Sequence, residues 1–214
     1  MQLPLDKSQQ KRALSPRETV LKRVFDLVLA LGIAPVILPL AAVMAVGARI
    51  FNGKGIYVQT RVGLYGVPFR LYKICSMRPQ EGVTTTVTTA NDPRITPFGY
   101  FLRRSKLDEL PQLWNVLRGD MSFVGPRPDV PEAYAALPES DVIVLCVQPG
   151  ITGAASLAYH DEEEMLLDVD DPERYNAEVI FPRKIRISCE YIANYSLVSD
   201  IIILYKTVFG NKQD

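Results

Sequence analysis

Between Arg103 and Pro128 the chain reads RRSKLDELPQLWNVLRGDMSFVGPRP, which sets two adjacent acids, Asp108 and Glu109, among Arg103, Arg104, Arg118 and Arg127. Guanidinium groups stay charged and match phosphate oxygens two at a time, so this composition suits phosphate chemistry. The spacing predicts a short amphipathic helix. In it Asp108 is the N-cap, Pro111 falls at N3 where a missing N–H costs no intrahelical bond, and Leu110, Leu113, Trp114 and Leu117 form one apolar face. The acid pair would then sit at the positive helix end, whose free N–H groups keep a carboxylate ionised and can also receive a phosphate. Acids at helix starts are equally common as plain caps, so the pair alone leaves catalysis and capping both open.

The rest of the composition narrows the chemistry. The 214 residues, 48% hydrophobic and 22% charged, suffice for one domain with a proper core. Formal net charge is zero, with 24 basic and 24 acidic residues, so no global field recruits nucleic acid and anion binding must come from local arginines. Cys75, Cys146 and Cys189 are odd in number and lack metal-ligand spacing, which fits a reducing compartment. A single histidine, His160, removes most zinc sites and every His-based triad. Catalysis must then rest on carboxylates with help from cations or a metal.

The elements that position these groups begin with a membrane segment. Leu27 to Ala48 is an uncharged run of about 22 residues, about 33 Å as a helix and long enough to cross a bilayer. Pro35 and Pro39 interrupt its middle, and basic residues flank both ends: Lys22 and Arg23 before it, Arg49, Lys54 and Arg61 after it. The positive-inside rule puts both flanks on the cytoplasmic side, so a helix that enters, bends at Pro35 and Pro39 and returns to the same face satisfies both observations. A plain span is the alternative; a cleaved signal peptide fits poorly behind a long polar segment.

Residues 1–14 read as a disordered tail, after which Ser15-Pro16-Arg17-Glu18 supplies an N-cap, a proline at N1 and a glutamate at N3, predicting one helix from Pro16 into the bilayer. Residues 55–78 alternate aromatic and β-branched positions around Gly63 to Gly66, which predicts a β-hairpin against the membrane face. Residues 84–89 read as a mobile loop. The acids Asp161 to Glu164 read as a solvated surface, and Ile185 to Phe209 as a helix that lies in the interface or covers the core. With no repeat and no linker, the expected fold is α+β, mainly helical, a single compact cytosolic domain on its own membrane foot.

Three long stretches, YVQTRVGLYGVPFRLYK (57–73), NDPRITPFGYFLRRSKLDELPQLWNVLRGDMSFVGPRP (91–128) and QPGITGAASL (148–157), resemble the bacterial sugar transferase family, the monotopic phosphoglycosyl transferases. The likeness extends over about residues 19–209. It implies a re-entrant membrane helix over residues 15–51, a catalytic domain over 52–214 with interfacial helices, and a place on the cytoplasmic face of the bacterial inner membrane. It also implies transfer of a phosphosugar from a nucleotide diphosphosugar, a UDP-sugar, to polyprenol (undecaprenyl) phosphate, the first membrane step of surface glycan synthesis. In that chemistry the Asp108 carboxylate attacks the phosphorus next to the sugar, Glu109 holds Mg²⁺, and Arg103, with Arg104 beside it, contacts the lipid phosphate. Lys73, Arg127 and Pro128 would hold the donor phosphates, and His160 would reach nucleotide or sugar.

The chain departs from the family pattern at Ala34, where a serine usually precedes the proline, and at Cys75, where a basic residue is usual. Two further classes stay open: a polyprenol-phosphate glycosyltransferase, which would release UDP instead of UMP, and a non-catalytic membrane scaffold. The sequence leaves the sugar unspecified, and a homodimer is neither required nor excluded.

Overall fold

A computed structural model describes residues 13–78, 88–89, 91–135 and 137–210. The expected tail up to residue 12 and most of the expected loop 84–89 lie outside the described residues, whereas Ala13 and Leu14 pack against the core.

Helix α1 (Pro16–Asn52) opens as the sequence predicts, with a reciprocal capping box: Ser15 Oγ accepts from the Glu18 N–H at 3.3 Å, and Glu18 Oε2 accepts from the Ser15 N–H at 2.7 Å. It stays helical through Pro35 and Pro39 and stops at Gly53, whose φ of 82° is the left-handed cap glycine adopts freely. By length and hydropathy it could cross a membrane. Its contacts show how it is used here. Lys22, Asp26, Ala30, Ala41, Ala48 and Asn52 are buried, and Ile33, Ile37 and Met44 pack against core clusters, which gives one stripe at three- and four-residue spacing along the helix. The other face carries Val24, Val28, Leu31, Val36, Val43, Val46 and Ile50, all exposed.

Both ends of α1 are fastened to the same domain by polar contacts. At one end Lys22 Nζ lies 2.6 Å from Asp200 Oδ2, Arg23 donates to the carbonyls of Val116 (2.6 Å) and Leu117 (3.0 Å), and Asp26 Oδ1 accepts from Ser122 Oγ (3.0 Å) and the Phe123 N–H (3.1 Å). At the other, Asn52 donates to the Cys75 carbonyl at 2.5 Å and accepts from Thr96 Oγ1 at 2.5 Å. Lys22 and Arg23, read from the sequence as a basic flank in water, therefore act as internal anchors, with Lys22 only 5% exposed.

Strands β1 (Ile56–Val62) and β2 (Pro68–Ile74) form the predicted hairpin, antiparallel with Tyr57 opposite Lys73, and a 3-10 turn at Leu64–Gly66 joins them. Helix α2 (Pro97–Arg104) is capped by Thr96 Oγ1, which accepts from the Gly99 N–H at 2.9 Å. Gly99 is needed for contact: a Cβ there would stand 1.7 Å from the Ser76 carbonyl oxygen. Helix α3 (Gln112–Arg118) leads into β3 (Ser122–Val124), which pairs in parallel with β4 (Gly150–Thr152) across the short helix α4 (Pro131–Tyr134). Short helices α5 (Ala154–Ala158), α6 (Glu162–Met165) and α7 (Pro172–Tyr175) precede α8 (Phe181–Ala193) and α9 (Leu197–Phe209).

The expectation of one helix over Ile185 to Phe209 is corrected. Ser196 caps a new start by accepting from the Ser199 N–H at 3.0 Å, so the chain turns after Ala193 and α9 begins afresh. Asp200 and Ile203 of α9 are buried, while Val198, Ile201, Tyr205, Val208 and Phe209 are exposed. The fold is mainly helical with small sheets, around a core that includes Leu113, Val116, Met121, Val124, Leu145 and Ile192.

Candidate active site

Lys106 adopts φ 56°, a left-handed conformation, and so ends the turn that follows α2. The chain restarts as a 3-10 turn, Leu107–Glu109, and α3 begins only at Gln112. Asp108 is consequently not the N-cap of α3, as the spacing predicted, and its position comes from the turn. The apolar face also differs: Leu113 and Val116 are buried together with Gln112 and Asn115, while Trp114 is 50% exposed.

The turn delivers the acid pair to β2. Asp108 is buried, its Oδ2 lying 2.8 Å from Lys73 Nζ, and its Oδ1 is buried with no hydrogen-bond partner among the described residues. Lys73 also stands 3.8 Å from Glu109 Oε1, which accepts from Arg127 Nη2 at 2.7 Å. Four residues from three segments thus alternate in charge: Asp108, Lys73, Glu109, Arg127. Burial alone would push the Glu109 carboxyl up, but the charges of Arg127 and Lys73 and the hydrogen bond from Arg127 outweigh it and hold the group at about 2. Arg127 is raised above its ordinary range, chiefly by Glu109.

Two devices hold these partners in place. Asn115, fully buried, donates to the Arg70 carbonyl at 2.7 Å and accepts from the Tyr72 N–H at 3.3 Å, bonding the edge of β2 just before Lys73. The sequence reading missed it; its signal is a polar side chain inside the buried stripe of α3. The Gly125-Pro126-Arg127-Pro128 loop is set by backbone packing on residues 148–153. Gly125 N–H donates to the Thr152 carbonyl and Gly150 N–H to the Pro126 carbonyl, both at 2.9 Å, and a Cβ on Gly150 would stand 2.1 Å from Gly125 N. Pro128 is buried, whereas the Arg127 side chain remains partly exposed.

The other expected site residues are placed differently. Arg103 pairs with Glu163 of α6, and Glu162 beside it pairs with Lys184 of α8. The acidic run is therefore not simply a solvated surface, because two of its members are engaged with basic residues of other helices. Arg104 is exposed at the end of α2. His160 is also exposed and pairs with Asp161, Nε2 to Oδ2 at 2.7 Å, not with the acid pair. Pro35 and Pro39 lie far along α1 within continuous helix. Cys75 is buried, with its thiol directed to the Met77 carbonyl.

Among the described residues no group of three or more His, Cys, Asp or Glu side chains could hold a metal. Mg²⁺ makes a smaller demand, one or two carboxylates completed by water and substrate phosphates. Glu109, kept ionised beside Asp108, fits that demand.

The model of the family described as bacterial sugar transferase matches residues 17–212. The chain is 38% identical over 202 residues to the UDP-glucose:undecaprenyl-phosphate glucose-1-phosphate transferase of Escherichia coli (strain K12), covering 92% of this chain and 41% of that protein. It is 36% identical over 203 residues to the undecaprenyl-phosphate galactose phosphotransferase of Salmonella typhimurium, covering 87% and 39%. With the undecaprenyl-phosphate glucose phosphotransferase of Komagataeibacter xylinus it shares 34% over 208 residues, covering 93% and 37%. The chain spans about two fifths of the length of these curated relatives. A match that runs through the acid pair, Lys73 and the Arg127 loop alike places the chain in the bacterial sugar transferase family.

Proposed function

We propose that the protein moves a phosphosugar from a UDP-sugar to polyprenol phosphate through a covalent intermediate on Asp108. The observation that supports this most is the Asp108 carboxylate itself, with one oxygen held by Lys73 and the other buried without a partner among the described residues. A fixed carboxylate with an unused lone pair is arranged as a nucleophile, provided that cations neutralise the anionic phosphate it approaches.

In the first step an Asp108 oxygen forms a bond to the sugar-linked phosphorus, and the bond between that phosphorus and the bridging oxygen breaks, releasing UMP. In the second, a phosphate oxygen of the lipid attacks the same phosphorus, the acyl phosphate bond breaks, and the Asp108 carboxylate is regenerated. Lys73 and Arg127 supply the positive charge beside the reacting phosphate. Mg²⁺, held by Glu109, would supply divalent charge to the diphosphate. Glu109, kept ionised, is suited to holding a cation throughout the cycle.

In the same reading α1 is a re-entrant foot at the cytoplasmic face of the bacterial inner membrane. The exposed apolar face of α1 and the outer face of α9 are suited to lipid, and fastening of both ends of α1 to one domain suits a chain that returns to the side it entered. The relatives use both glucose and galactose, so a panel of UDP-sugars is the direct test. Purified full-length protein with undecaprenyl phosphate and Mg²⁺ should release UMP with at least one donor. Release of UDP would make it a glycosyltransferase, and no turnover with any donor would make it a scaffold.

A further inference from the structure

The Arg103 guanidinium is clamped by a segment distant in sequence. It extends from the last turn of α2, beside fully buried Leu102, and its Nη2 pairs with Oε1 of Glu163, 60 residues further along. Glu163 is itself held. The Glu164 and Met165 N–H groups bond back to the Asp161 carbonyl at 2.9 and 3.0 Å, Glu162 is tied to Lys184, and Leu166 is buried in the core. Asp92, another acid whose charge acts on Arg103, is already bound to Arg94 through two oxygens, Oδ1 from Nε at 2.9 Å and Oδ2 from Nη2 at 2.6 Å. Arg103 Nε–H is buried with no partner among the described residues.

An arginine has five donors in a rigid fork, so one carboxylate leaves donors for a second anion. A free arginine side chain also carries rotamer entropy, which Glu163 removes in advance. The Glu163 side chain is 43% exposed against 14% for Arg103, so solvent screens its repulsion of an incoming phosphate.

We propose that Glu163 is a positioning residue for the acceptor: it fixes Arg103 so that the unused donors of the guanidinium receive the phosphate of the polyprenol phosphate. This rests on the two-step transfer proposed above, in which Asp108 serves the donor step, and on the acceptor role that the family resemblance implies for Arg103. The two steps can be measured apart. Donor alone should give a burst of UMP equal to the number of competent sites, and added lipid phosphate then gives steady turnover.

Glu163→Ala should leave the burst as in the wild type and raise the acceptor KM about tenfold, the loss expected for one charge-assisted hydrogen bond. Glu163→Gln, which keeps an accepting oxygen, should recover part of that loss. In an Arg103→Ala background Glu163→Ala should add nothing, because its effect passes through Arg103. The burst also counts folded enzyme, so a merely destabilised variant shows a smaller burst and an unchanged KM. That pattern, an additive double variant, or a lowered acceptor KM that makes Glu163 a competitor for phosphate, would each overturn the proposal. Absence of any UMP burst from the wild type would instead overturn the catalytic reading on which it stands.

Discussion

Lys73 Nζ contacts both adjacent acids, 2.8 Å from Asp108 Oδ2 and 3.8 Å from Glu109 Oε1, and Arg127 Nη2 lies 2.7 Å from the same Glu109 oxygen. The pair is thereby split into unequal partners. Asp108 pairs with Lys73 and keeps a buried oxygen without a partner among the described residues, while Glu109 lies near two cations. A nucleophile needs an available lone pair and a metal ligand needs a stable charge, and this asymmetry is the one that the proposed roles of Asp108 and Glu109 require.

Asp108→Asn should lower turnover by several orders of magnitude without unfolding the protein, since an amide keeps the volume and polarity of the side chain but is no carboxylate nucleophile. Wild type incubated with donor alone should gain one phosphosugar mass on the peptide carrying Asp108. A modified peptide elsewhere, or a near-normal rate in the variant, would move the nucleophile.

Glu109 sets a pH dependence of defined sign. Its folded value of about 2 lies below the ordinary 4.5, so it contributes stability that is fully present above pH of about 4.5 and lost as pH falls toward about 2. Urea unfolding measured across that window should show an acid-side fall that is shallower in Glu109→Gln. The same variant should need more Mg²⁺ for half-maximal activity, and EDTA should abolish wild-type activity until Mg²⁺ or Mn²⁺ is restored. An unchanged Mg²⁺ titration would point to another ligand.

Asn115→Ala should destabilise the protein by about 2–4 kcal/mol in chemical denaturation, because it leaves the Tyr72 N–H and the Arg70 carbonyl without their partner. Its activity should fall further than the lost folded fraction accounts for, since the register of Lys73 against Asp108 depends on that edge. Wild-type activity per folded molecule would show that β2 holds its place unaided.

The fastening of α1 at both ends predicts that cysteines placed at Arg17 and at Lys54 react from the same membrane face in labelling of sealed vesicles. Lys22→Met should weaken this by about 3–5 kcal/mol, because Asp200 is then left as a buried charge without its cation, facing the Tyr191 hydroxyl. Reaction of the two sites from opposite faces would establish a plain span.

Residues close in sequence wrote the local structure legibly. Ser15 to Glu18 capped α1 as read, and the alternation around Gly63 to Gly66 gave the hairpin, since caps and turns depend on side chains three or four positions apart. The candidate residues Asp108, Glu109, Lys73 and Arg127 were legible as family motifs. Which atom of which residue meets which was not.

Tertiary structure decided that Lys73 serves Asp108, that Arg103 is held by Glu163, and that Lys22 is an internal anchor paired with Asp200, 178 positions away. It also replaced the expected cap at Asp108 with a 3-10 turn, through the left-handed Lys106. The reason is physical. A charge at a helix start or beside an apolar run has the same local propensity whether it meets water or a partner, and only closure of the packed core removes water and selects the partner.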